Sequence, residues 1–452
     1  MELSALRHLR TLLSLHLLLL VSPPPCSSDQ PIPHKPPPAP PVPPSHSTLE
    51  ASAPVVTGRP FVVVWNMPTA HCQKLHGVQL SLGDFDIVVN SREHFLGQNM
   101  TIFYRDRLGV YPFISRDGAE VNGGLPQNTD LGAHLAIAGG QISRRLHPDF
   151  AGLAVIDWEE WRPLWARNFD SKAVYRRRSM RRVRRDRPDL TGKGQVMEEA
   201  RRQFEEGARR MMGETLRLGA TGRPGGLWGF YGFPACYNDP KKNLKGANYT
   251  GQCHLGTREL NDRLDWLWRE STALYPSIYL PRRLAGTQES ALMVRHRVLE
   301  ALRVGSIRRH DNTSKQAMPV LPYARLAFTH TLDFLNVMDL QHTLGEAAAL
   351  GAAGVVLWGE LEFARSKVSC VLLRDYLRST LGRYVRKLRR HTHRCSHRRC
   401  QGNGRCARRR PGIGHMIRDE DSGEGGSSSF SKHFLCHCYQ GWAGRRCGES
   451  RE

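Results

Sequence analysis

The chain has 452 residues, 40% of them hydrophobic, enough for one large core with a satellite module or for two to three ordinary domains; this argues against a disordered polymer. Lys and Arg number 65 against 42 Asp and Glu, a formal net charge of +23, so attraction to a polyanion is expected.

In chain order, "MELSALRHLRTLLSLHLLLLVS" sets Arg7 and Arg10 ahead of a leucine run too short to span a bilayer comfortably. This is the pattern of a secretory signal over residues 1–25, with a retained signal anchor as the competing reading because no clean small-residue cleavage site follows. No other stretch approaches a membrane span and "RCGESRE" carries no lipid-anchor signal, so secretion or lysosomal delivery without a membrane anchor is expected. "PIPHKPPPAPPVPPSHS" at 31–47 is too proline-rich for a sheet and marks residues 26–57 as an extended linker.

From Gly58, apolar runs alternate with helix-period segments. "FVVVWN" at 61, "DIVVN" at 86, "TIFYR" at 101, "GLAVID" at 152, "GLWGFYGF" at 226, "SIYL" at 277, "VLPYARLAF" at 320 and "GVVLWG" at 354 read as strands. "QVMEEARRQFEEGARRMMGETLRLG" from 195 and "RELNDRLDWLWRESTAL" from 258 read as amphipathic helices. The alternation argues for an α/β fold with a parallel sheet, closed as a TIM-like (β/α) barrel over residues 58–390. An open doubly wound sheet is the competitor, but no glycine-rich phosphate loop follows the first strand.

In "GLAVIDWEEWRPLW", residues 152–165, a buried strand runs into Asp157, Glu159 and Glu160, at the end of the strand where barrels place their chemistry. Strand alternation puts Asp157 and Glu159 on one side, roughly 6.6 Å apart, with Trp158 turned away and Glu160 on the opposite side. Like charges at that distance repel by about 2.5 kcal/mol at an effective dielectric of roughly 20, close to two pKa units. One of the two should therefore hold its proton near neutral or mildly acid pH, and electrostatics alone does not say which. Paired carboxylates among aromatics suit a glycosidase; the bland alternative is structural pairing with Arg162 or Arg167, a role Glu160 suits better. Two acids on one face cannot easily flank a sugar ring, which favours attack by the substrate's own acetamido oxygen.

Eleven cysteines fit an oxidising compartment. Cys26 lies beside the expected cleavage site, which leaves an even set. Six of them, Cys395, Cys400, Cys406, Cys436, Cys438 and Cys447, stand in the last 60 residues, too short a stretch to bury an adequate core without covalent staples. A module at 391–448 with a flexible insertion at 407–435 is expected; a zinc site using His391, His393, His397 or His437 is the rival, though its spacing fits no usual finger. Sequons at Asn99, Asn248 and Asn312 agree with a glycosylated surface. The basic residues concentrate in "RRRSMRRVRRDR", 176–187, and "VRKLRRHTHRCSHRRCQGNGRCARRR", 385–410; nucleic acid is the usual partner for such runs, but a secreted chain meets glycosaminoglycans first.

The blocks "NMTIFYRDRLGVYP", "GGLPQN", "GLAVIDWEEWRPLW", "LWGFYGFPACYN", "NYTGQC", "ALYPSIYLP" and "GAAGVVLWG" resemble the vertebrate hyaluronidase family from about Arg59 to Cys447. The resemblance implies an endo-β-N-acetylhexosaminidase on a distorted barrel, cleaving hyaluronan and, more slowly, chondroitin, with no cofactor or metal. By motif it makes Glu159 the proton donor and Asp157 the residue that orients the acetamido group. It places Tyr231 and Tyr279 beside the reacting sugar, and Tyr104 and Trp358 along the cleft. It also implies bridges Cys72–Cys370 and Cys236–Cys253 and, from the ending "CHCYQGWAGRRC", an epidermal-growth-factor-like module with Cys395–Cys406, Cys400–Cys436 and Cys438–Cys447. Ala235 departs from the aspartate that many members carry. Chitinase-like hydrolases share the Asp-x-Glu strand end but place aspartates upstream, where this chain has Leu153 and Val155. A glycosaminoglycan-binding protein with little turnover is the non-enzyme alternative, and the terminal module's own partner is not legible.

Overall fold

Runs of β-branched and apolar residues without polar alternation form strands buried on both faces, as parallel sheets require. The computed structural model describes residues 51–89, 97–240, 249–307, 317–417 and 432–451. The expected signal, most of the linker, the middle of the 407–435 insertion, Asn248 and Asn312 lie outside these residues. The strands are β1 (Val62–Asn66), β2 (Ile87–Val88), β3 (Met100–Tyr104), a hairpin of β4 (Phe113–Ile114) and β5 (Glu120–Val121), β6 (Leu153–Asp157), β7 (Leu227–Phe230), β8 (Tyr323–Arg325) and β9 (Gly354–Trp358). Helices lie between them: α1 (Ala70–Lys74), α2 (Leu131–Arg145), α3 (Ala173–Asp186), α4 (Lys193–Gly222), α5 (Thr257–Asp262), α6 (Asp265–Glu270), α7 (Gln288–Gly305), α8 (Val337–Leu340) and α9 (Glu346–Leu350), with α10 (Lys367–Tyr376) and α11 (Gly382–Cys400) following β9.

Two parallel sheets result, ordered β2-β1-β9-β8 and β3-β6-β7. The chain at 274–277 links them through single parallel bridges, Tyr231 with Tyr275, Leu274 with Val320 and Ser277 with Tyr323. A full strand was expected over "SIYL"; no ladder forms there because Pro276, just before it, has no N–H to donate. The segment at 274–277 thus lies between β7 and β8, and β9 pairs back onto β1 over all five residues. One apolar cluster takes side chains from both sheets, Ile87, Val64 and Val356 together with Met100, Ile102 and Val155.

Helix α4 extends the expected segment to 193–222 and buries Val196, Ala200, Phe204, Ala208 and Met211 at helical spacing. Gly219 is needed there, since a Cβ would stand 2.6 Å from the Trp228 ring. The segment from 258, which reads as a single helix, breaks into α5 and α6 at Arg263–Leu264, where the Trp268 indole donates to the Asn261 carbonyl at 2.7 Å.

Helices α10 and α11 join through a π turn at Leu377–Leu381, so residues 367–400 are helical without a break, across the position where the sequence places the module boundary. Among the described residues five disulfides form: Cys72–Cys370, Cys236–Cys253, Cys395–Cys406, Cys400–Cys436 and Cys438–Cys447. The six terminal cysteines are therefore not thiolate ligands. After α11 come antiparallel pairs of β10 (Gly404–Arg408) with β11 (Phe434–Cys438) and β12 (Trp442–Ala443) with β13 (Glu449–Ser450). This terminal segment is held to helices α7 and α9 by a buried ion triad in which Arg408 and Arg295 both lie 2.7 Å from Glu346 Oε1.

Removing one member of a buried ionic group strands the others without water. Glu346→Gln should lower unfolding free energy by roughly 3–5 kcal/mol, read from the urea midpoint. Arg295→Gln should cost less, because Arg295 is partly exposed and Arg408 still holds Glu346.

Candidate active site

The C-terminal ends of the parallel strands converge on one cleft. Asp157, the last residue of β6, lies in register with Tyr104 of β3. On its other side the Tyr231 amide, just past β7, donates to the Ile156 carbonyl at 3.0 Å. Across the opening, Arg325 of β8 and Asn66 of β1 flank Trp358 of β9. The cleft holds about 290 Å³ and is lined by Asp157, Glu159, Tyr231, Tyr279, Tyr323, Arg325 and Trp358, with Ile102 and Val155 on the strands and Thr329 and His330 contributed by a loop.

Alternation sorts the acids as the strand reading expects. Trp158 turns into the core, stacked on Tyr111 at 4.7 Å. Glu160 is ion-paired with Arg105, a different arginine from those the sequence suggested. Lys172 donates to the backbone carbonyls of Glu159 and Glu160 and so fixes the turn that follows the strand. Among the described residues no ion pair engages Asp157 or Glu159, and Asp157 Oδ1 is buried without a hydrogen-bond partner. Burial first, and then the nearby Glu159 charge, push the Asp157 carboxyl up to about 7 against the opposing pull of Arg162. Glu159 itself is exposed at the cleft.

The aromatic wall is hydrogen-bonded as well as stacked. Tyr279 donates to the Tyr231 phenol oxygen, and its ring lies 6.4 Å from Trp358 at an 18° interplanar angle. The Trp358 indole donates to Tyr104, whose phenol burial raises to about 12. The structure thus brings together all six residues singled out from the sequence, five lining the cleft and Tyr104 bordering it through Trp358. Ala235 does not line the cleft; its carbonyl accepts from Asn261 at 3.0 Å.

Sequence reasoning missed Arg325 and Tyr323. The guanidinium of Arg325 is ion-paired with Glu360 and lies 5.7 and 5.8 Å from the rings of Tyr279 and Trp358, while its Nε and the Tyr323 hydroxyl are buried without partners. The available signal was the arginine inside the apolar run "VLPYARLAF", since a charge placed in a buried strand needs a reason.

A family model described as hyaluronidase matches residues 50–451. The chain belongs to the hyaluronidase family. This family is one of glycoside hydrolases. Hyaluronidase-3 of Homo sapiens is 47% identical over 403 residues, 88% of this chain and 93% of that protein. Hyaluronidase-1 of Rattus norvegicus is 44% identical over 414 residues, 87% of this chain and 90% of that one. The crystal structure of bee venom hyaluronidase in complex with a hyaluronic acid tetramer is similar at TM-score 0.64 and 32% identity, covering 72% of this chain and 99% of that one.

In this hyaluronidase-family chain the raised Asp157 value has a defined sign. Its folded value lies above the ordinary 3.8, so the native state holds a proton that the unfolded chain releases. The stabilisation is complete below about pH 4 and is lost as the pH rises to about 7. Asp157→Asn should remove this dependence, so its stability relative to the parent should improve steadily across that window in urea titrations. Glu159→Gln should lower the Asp157 midpoint in carboxyl carbon-13 NMR without bringing it to the ordinary value, because burial is the larger cause.

Proposed function

We propose that this chain hydrolyses the β-1,4 bond between N-acetylglucosamine and glucuronate in hyaluronan, and more slowly the corresponding bond in chondroitin, with retention of configuration. The observation that carries the reading is an unpaired Asp157–Glu159 couple in an aromatic-lined cleft at the strand ends, in a member of this family. Glu159, on the open side, donates its proton to the glycosidic oxygen as the C1–O bond breaks. The acetamido oxygen of the same sugar attacks C1 and forms a cyclic oxazolinium ion. Asp157 accepts from the acetamido N–H, which raises the nucleophilicity of that oxygen and stabilises the positive ring. Water then attacks C1, giving its proton to the Glu159 carboxylate, and the ring opens with the acetamido group restored. Tyr279 exchanges its bond to Tyr231 for one to the acetamido oxygen.

The unfilled polar capacity of the cleft supports this assignment. Asp157 Oδ1, the Tyr323 hydroxyl and Arg325 Nε are buried and unbonded, while most buried polar groups in native proteins are satisfied. A sugar amide and its hydroxyls offer the complementary donors and acceptors. A glycosaminoglycan-binding protein without turnover would leave the unpaired acids without a role.

The finer readings of architecture belong here too. The strand order, with β9 returning to β1, supports a distorted (β/α) barrel, and the terminal disulfide pattern supports an epidermal-growth-factor-like module. The N-terminal leucine run and the disulfides support a secretory route with secreted or lysosomal residence, and no helix among the described residues is long and apolar enough to cross a membrane. Asn99 is exposed, as a glycosylation acceptor requires.

Glu159→Gln should lower reducing-end release from hyaluronan by about 10²–10⁴-fold, the usual contribution of a general acid, while a hyaluronan oligosaccharide still binds. Undiminished release by this variant would remove Glu159 from the donor role.

A further inference from the structure

Helix α11 has two unlike faces. Val385, Leu388, Thr392 and Cys395 are buried against the rest of the protein. On the outer face Arg383, Arg390, Arg394 and Arg398 are all exposed. At roughly 100° and 1.5 Å per residue they fall within about 80° of one another around the axis and run along about 22 Å of it. His393 and His397 flank this row, with ring centroids 5.7 Å apart. Among the described residues none of the four guanidiniums has an acidic partner, because Asp84 is taken by Arg386 and Asp86 by Arg389.

More positive charge gathers at the end of the helix. Arg446 donates to the carbonyls of Arg398 and Arg399 at 2.9 and 3.4 Å, as cations at helix C-termini do. Arg399 is pushed below the usual arginine range by burial and by the charges of Arg409, Arg445 and Arg446. Like charges held together in this way repel until an anion comes between them.

The face is not an extension of the cleft. Arg389 reaches Asp86 at 2.8 Å, and Asp86 accepts from the Val63 amide at 2.9 Å at the beginning of β1. These contacts lie at the N-terminal ends of the strands, whereas Asp157 and Trp358 stand at the C-terminal ends. The unpaired cations of the row are all arginines, whose planar forks bind oxyanions bidentately. Hyaluronan offers a single carboxylate per disaccharide and no sulfate, a sparse match to so dense a row; sulfated chains add sulfate oxyanions to the same repeat.

We propose that the outer face of α11 is a binding site for a sulfated glycosaminoglycan, separate from the catalytic cleft.

The test uses the full chain and a heparin oligosaccharide as the sulfated probe. Replacing Arg383, Arg390, Arg394 and Arg398 together by Gln should weaken heparin binding at least tenfold at fixed salt. The slope of log affinity against log salt should fall by about three, at roughly 0.7 per lost contact as for a flexible single-stranded polyanion. Hyaluronan cleavage should stay unchanged, which also reports that the variant folds. A control replaces Arg177, Arg181 and Arg184, three exposed arginines on one face of α3, by Gln and should bind heparin as the parent does. Equal weakening by both variants would show that heparin senses only net charge and would overturn the proposal, as would unchanged binding in the α11 variant. Equal weakening of hyaluronan and heparin binding by the α11 variant would assign the row to the unsulfated polymer, against the proposal. Should the quadruple variant fail to fold, Arg390→Gln with Arg394→Gln gives the same reading at about half the slope change. Heparin binding is read without catalysis, so an inactive chain would refute the hydrolase reading and leave this one standing.

Discussion

The site depends on a carboxyl group that has lost most of its water without gaining a cation. Asp157 ends a strand whose four preceding residues are buried, and its Oδ1 atom finds no donor. A buried polar atom without a partner costs on the order of 1–3 kcal/mol, and the Tyr323 hydroxyl and Arg325 Nε share that condition around the same cleft. Such a group survives where the surroundings are overdetermined. Here β3 and β7 clamp β6 on both sides, and the side chains of Ile156 and Trp158 are locked in a large apolar cluster. Burial also sets Asp157 apart from Glu159 two residues on, so that two carboxyl groups close in sequence meet the cleft in different surroundings.

The scaffold turns a linear motif into a concave site by its pairing order. Because β9 lies against β1 and β8, Trp358 comes level with Asn66 and Arg325, and from there its indole reaches Tyr104 at the opposite edge of the row. The aromatic rings therefore form a hydrogen-bonded wall, Tyr231 to Tyr279 and Tyr104 to Trp358, whose geometry does not depend on the side chains' own rotamer preferences alone. Arg325 lies close to two of these rings, Tyr279 and Trp358, and is neutralised by Glu360, which keeps a paired cation beside the cleft.

Much of this was legible in the chain because apolar β-branched runs have few alternatives to a buried parallel strand. "FVVVWN", "TIFYR", "GLAVID" and "GVVLWG" all became strands close to their expected bounds. Period-two alternation likewise separated Asp157 and Glu159 from Trp158 and Glu160. Four features could not be read. The ladder missing at "SIYL" turns on Pro276 outside the run, and the division of the segment from 258 turns on a tertiary bond from Trp268 to Asn261. Which acid titrates high was also hidden, because repulsion between the two is symmetric and only the depth at which each side chain comes to rest breaks the tie. Arg325 escaped notice for a related reason: its usefulness comes from residues 279, 358 and 360, distant in sequence and assembled only by the fold.

The helix that runs unbroken from Lys367 to Cys400 begins beside the Cys72–Cys370 bridge and ends inside the terminal disulfide segment. A continuous helix of this kind puts no loop between Lys367 and the terminal cysteines at its far end. Whatever grips the cysteine-rich end therefore pulls on the same continuous helix that the Cys72–Cys370 bridge ties to α1.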